Sequence, residues 1–95
     1  MIKKRFTLVA WVSTENPQAV QRALEELVSK GSITPTDEGF LVKVMLSGES
    51  ARELNRTLLS ALRRIEGKTR LRAEWMSGGT VERFFDYVPK GSTKA

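Results

Sequence analysis

From Arg5 to Val12 the chain alternates strictly, with Phe6, Leu8, Ala10 and Val12 on the even positions and Arg5, Thr7, Val9 and Trp11 between them. Successive side chains of a strand point to opposite faces, so this spacing predicts a β-strand with one face against a core. A lone strand cannot bury that face. The remaining sequence must supply strands beside it and a layer over it, and 95 residues leave room for one core.

The covering layer is legible at two places. Asn16-Pro17 combines a capping residue with a proline at the first helical position, and Ala19, Val20, Ala23, Leu24, Leu27 and Val28 recur at helical spacing before Gly31; this predicts a helix over about 17–30. Ser50 and Glu53 stand three apart, as in a capping box. The second helix they open would bury Ala51, Leu54, Leu58, Ala61, Leu62 and Ile65 and end near Gly67. Between the helices, 32–39 holds Pro35 and turn residues and predicts a short edge strand, while Phe40, Val42, Val44 and Leu46 share one face of a clearer strand. After the second helix, 70–76 alternates again. Gly78-Gly79 then predicts a two-residue hairpin loop that places Met76 opposite Val81 and Glu74 opposite Arg83. Val81, Phe84, Phe85 and Val88 also fit helical spacing, and the strand is the reading adopted for 81–88.

The order β-α-β-β-α-β-β leads to an expected fold class: α+β, a ferredoxin-like βαββαβ two-layer sandwich with an added C-terminal edge strand. One α+β domain over 1–89 is expected, with 90–95 as a flexible basic tail that lacks an apolar anchor.

Composition narrows the chemistry. There is no cysteine and no histidine, which excludes disulfides, thiolate nucleophiles, Cys- or His-based zinc sites and imidazole acid–base catalysis. The carboxylates form no recognisable constellation, and Gly78-Gly79 lacks the Lys-Ser/Thr that follows a phosphate-binding loop. A non-enzymatic protein is expected, with no cofactor and no metal. No apolar run approaches the roughly 20 residues of a membrane span, and the basic start followed by a short apolar run reads as a strand, not a signal peptide. A cytoplasmic address is therefore expected.

Sixteen Lys and Arg stand against eleven Asp and Glu, for a net charge of +5. The pI near 10.0 lies above the value of about 9 that flags polyanion binders. With Phe6, Leu8 and Ala10, Phe40, Val42 and Val44, and Leu71, Ala73 and Trp75 turned toward the helices, the other sheet face would carry Arg5, Thr7, Val9, Trp11, Leu41, Lys43, Met45, Arg70, Arg72, Glu74 and Met76, joined by Arg83, Phe85 and Tyr87. Cations interleaved with aromatic rings suit nucleic acid, because rings stack on bases while cations neutralise phosphate. The expected nucleic-acid contacts are Lys43, Arg70, Arg72, Trp11, Phe85 and Tyr87, together with Arg52, Arg56 and Arg63, which fall with Leu59 on an outer stripe of the second helix. The same face also holds Val9, Trp11, Leu41, Met45 and Met76, an apolar set whose size predicts cover by a second copy in a homodimer or by another protein partner.

The runs Gly39–Val42, Ala51–Leu54 and Leu58–Leu62 resemble the small dimerising subunit of the KEOPS tRNA-modification complex. That resemblance spans less than a third of the chain and implies a dimer. The Gly78-Gly79 hairpin and the strand after it depart from that family's pattern.

Overall fold

A computed structural model of the chain describes residues 3–94. Its elements run in the order β1 (Lys4–Ser13), α1 (Pro17–Leu27), β2 (Ser32–Pro35), β3 (Gly39–Gly48), α2 (Ala51–Ile65), β4 (Arg70–Ser77), β5 (Thr80–Phe85) and β6 (Val88–Lys94). The class is α+β: one six-stranded sheet in the order β2-β3-β1-β4-β5-β6, antiparallel throughout, with two helices.

The alternation read in β1 sets the layer arrangement. Phe6, Leu8, Ala10 and Val12 are buried, and pairing carries that parity across the sheet to Phe40, Val42 and Val44 on β3, Leu71, Ala73 and Trp75 on β4 and Phe84 on β5. Val20, Leu24 and Val28 from the first helical segment, and Ala51, Leu58, Leu59 and Leu62 from α2, join the same core, so both helices cover one sheet face. Burying side chains such as Leu24 or Leu59, each at 0% exposure, contributes roughly 1.5–3 kcal/mol apiece. A β carbon on Gly39 would collide with the Val12 carbonyl oxygen, so glycine lets β3 and β1 meet at that end.

Both predicted helix starts are present. The Asn16 side chain accepts from the Ala19 N–H and the Ser50 hydroxyl from the Glu53 N–H at 3.1 Å, each satisfying an orphan donor of a first turn. The Gly-Gly hairpin also has the expected register, with Ser77 opposite Thr80, Met76 opposite Val81 and Glu74 opposite Arg83. Gly78 and Gly79 have φ of 56° and 81°, the left-handed pair that a two-residue turn between twisted strands requires.

Three expectations are corrected. α1 ends at Leu27 and not near residue 30. The strand over 81–88 is two strands, because Asp86, at φ 56°, turns the chain between Phe85 and Val88. The segment from Lys90 onward, expected as a frayed tail, continues as β6 and pairs with β5 to Lys94. Main-chain hydrogen bonds rather than apolar side chains hold such an edge strand, which is why composition did not announce it. The sheet therefore gains a sixth strand at its edge, and the C-terminal segment extends the sheet sideways without folding over the open face.

Candidate functional site

Strand pairing aligns the open face into rows that cross the sheet. One row reads Thr34, Leu41, Trp11, Arg72, Phe85 and Val88 from β2 to β6. The next reads Lys43, Val9, Glu74 and Arg83, and a third Met45, Thr7, Met76 and Val81. Trp11 (40% exposed), Phe85 (38%), Met45 (56%) and Val88 (56%) all reach solvent, while Val9, Leu41 and Met76 are half-buried between their neighbours.

The first row has a specific chemistry. The Arg72 guanidinium lies 5.7 Å from the centroid of the Trp11 ring, the Arg70 guanidinium 6.0 Å from that of Phe85, and the Lys90 ammonium 6.0 Å from the same Phe85 ring. A cation within about 6 Å of a ring centroid is drawn to its electron-rich face. Trp11 and Phe85 stand two strands apart, roughly 10 Å at ordinary sheet spacing. The hollow between them, about 310 Å³, is lined by both rings, Arg70, Arg72 and Glu38. A larger and more open depression of about 910 Å³ beside α1 is lined by Arg22, Glu25, Glu26 and Ile65; it has no ring, so the sheet face is the better candidate.

Charge pairing divides the cations. Arg56 reaches both carboxylate oxygens of Glu53, at 2.6 and 2.9 Å. Lys68 lies 3.7 Å from Glu15, Arg63 3.3 Å from Asp86 and Arg83 3.4 Å from Glu74. Among the described residues, Lys43, Arg70 and Arg72 on the open face are in no such pair, and neither are Arg22, Arg52 and Arg64 on the helices. The open face thus carries cations outside any close ion pair around exposed rings, with Glu38 lining the same hollow.

The structure brings Lys43, Arg70, Arg72, Trp11 and Phe85 together and separates the other expected contacts from them. Tyr87 is not on the open face: it lies in the β5–β6 turn, its hydroxyl 3.1 Å from that of Ser60 on α2, with the Arg63 guanidinium 5.3 Å from its ring centroid. The outer stripe of α2 is also corrected. Leu59 is fully buried and Ile65 is 48% exposed, so the helix is turned about its axis relative to the expected stripe. Arg63 folds back to donate from Nε to the Thr69 carbonyl at 2.9 Å, whereas Arg52 and Arg56 remain exposed on the helix layer, away from the rings.

Two residues that position the row were not singled out from sequence. Asn55, 1% exposed, accepts from the Trp75 indole N–H at 3.2 Å and donates to the Asp86 carbonyl at 2.8 Å. Asp86 Oδ1 accepts from the Leu71 N–H at 2.9 Å. Together they fasten the β5–β6 turn to α2 and β4, next to Phe85. An aspartate inside an otherwise apolar run was the available signal for a turn there.

No protein-family model, curated protein or solved structure matches the chain. Among the described residues no group of acidic side chains could hold a metal ion, and no helix is long and apolar enough to cross a membrane.

Proposed function

We propose that this is a small basic nucleic-acid-binding protein, without catalytic activity, that contacts phosphate through Arg and Lys with little base specificity. The observation that carries the reading is the Trp11–Arg72–Phe85 row: two exposed rings flanked by Arg70, Arg72 and Lys43, none of which is paired with a carboxylate among the described residues. Guanidinium groups pair with phosphate whatever the sequence, and rings accept any base. The first four strands, in the order β2-β3-β1-β4 with both helices on one side, support assigning the domain to the ferredoxin-like class, with β5 and β6 as an edge extension that widens the platform.

Anisotropy titrations of a labelled mixed-sequence oligonucleotide at several salt concentrations test this reading. Affinity should fall linearly on a log–log plot, by roughly 0.7–0.9 of slope per phosphate neutralised. An absence of binding at about 50 mM salt, where non-specific electrostatic contacts are favoured, rejects it.

One observation favours a second reading, an interaction or assembly subunit. Met45 is 56% exposed beside Thr7, Met76 and Val81, and with Val9 and Leu41 it makes an apolar area of the kind that meets protein. A second copy on that face makes a homodimer whose mass drops on Met45→Glu; a mass unchanged by that substitution removes this reading.

A further inference from the structure

Resting on the polyanion reading, we infer that the ligand is single-stranded nucleic acid laid across the strands along the Trp11–Arg72–Phe85 row, with unpaired bases stacked at Trp11 and Phe85. The width of the platform argues against a duplex. Six strands at about 4.8 Å spacing make a face roughly 24 Å wide, twice the roughly 12 Å of a major groove. Such a face does not fit an undeformed groove, and a straight duplex resting on it offers only phosphates, because its base faces are stacked on one another. Trp11 and Phe85, at 40% and 38% exposure, would then lie against a hydrated backbone. A single strand satisfies both halves of the site: splayed bases take the ring faces and phosphates take the cations.

The arginines fit this arrangement. Arg72 over Trp11 and Arg70 over Phe85 occupy the positions an incoming base would take. A base either stacks on the guanidinium plane or displaces it from the ring, and a displaced side chain reaches the adjacent phosphate without leaving the site. Lys43 lies one row away and Lys90 beside Phe85, so positive charge borders the path on both sides of the rings. RNA and DNA share these phosphates and base faces.

The test compares mixed-sequence single strands of about 12 nucleotides, as RNA and as DNA, with the matching duplexes, using the full chain. Single strands should bind more tightly than duplexes and quench the emission of Trp11, while Trp75, at 0% exposure, does not respond. Trp11→Leu and Phe85→Leu should each weaken single-strand binding roughly five- to hundredfold and leave duplex binding unchanged. Trp11→Phe should retain most of the affinity and lose the quenching. Equal affinity for duplex and single strand, with no effect of the ring substitutions, overturns stacking while leaving phosphate binding in place. No binding to any of the four probes overturns both, and self-association seen by sedimentation would then assign the face to protein.

Discussion

The indole N–H of Trp75 donates to the side-chain oxygen of Asn55 at 3.2 Å, with both residues sealed from solvent. The other end of the same amide donates to the Asp86 carbonyl at 2.8 Å. One buried polar side chain on α2 therefore ties the core of β4 to the turn that follows Phe85. Asn55→Leu keeps a similar volume but leaves the indole N–H and a carbonyl without partners, each a loss of about 1–3 kcal/mol. Urea unfolding should show a destabilisation of about 2–6 kcal/mol, and an unchanged midpoint would mean that water replaces the amide.

Asp86 supports the same turn from the other side. Its carboxylate accepts from the Leu71 N–H at 2.9 Å and faces Arg63 at 3.3 Å, while its backbone sits at φ 56°. Asp86→Asn keeps the acceptor and tolerates that conformation, so it should cost less than about 1 kcal/mol. Asp86→Ala loses the acceptor and adds backbone strain, for about 2–3 kcal/mol. Equal thermal midpoints for the two variants would show that the side-chain bond contributes nothing.

The β4–β5 hairpin separates strain from packing. A β carbon on Gly78 or Gly79 meets nothing within 4 Å, so Gly78→Ala should lose about 1–2 kcal/mol through its positive φ alone. Gly78→Asn, which enters that region more readily, should lose less. The reverse order in chemical denaturation would contradict the turn geometry.

These positions show what the sequence discloses and what it hides. Phe6 to Val12 revealed its buried face because period two is a local property, and Asn16-Pro17 and Ser50 with Glu53 revealed helix starts because capping spans three residues. Gly78-Gly79 gave the register because a two-residue loop fixes opposite partners. Asn55 was illegible as a core residue: its burial depends on Trp75 and Asp86, 20 and 31 positions away. The α2 stripe differs from the expected one for a related reason, since the buried side of the helix is centred on Asn55, Leu58, Leu59 and Leu62 and leaves Ile65 exposed. β6 is hidden because Pro89-Lys90-Gly91 carries no alternation, and strand parity puts Tyr87 on the open face, whereas the turn at Asp86 carries it to α2. Trp11, Arg72 and Phe85 came to one face by parity, but their place in one row depended on both pairings of β4.

The placement of the cations relative to the rings predicts unequal effects of charge removal. Arg70 and Arg72 lie over the exposed rings without a carboxylate partner among the described residues. Arg56 is already held by Glu53 at 2.6 Å on the layer behind the sheet, and Arg52 lies one turn before it. Replacing Arg70 and Arg72 together by alanine should weaken oligonucleotide binding to a similar degree for all sequences and flatten the log–log salt dependence by roughly one to two units. Replacing Arg52 and Arg56 together should change the slope by less than about half a unit, because distant charges are screened beyond roughly 10 Å at 0.1 M salt. Anisotropy titrations at four salt concentrations distinguish the pairs. If Arg52 and Arg56 produced the larger change, the phosphate path would run along α2 instead of across the strands, and the rings at Trp11 and Phe85 would have no part in it.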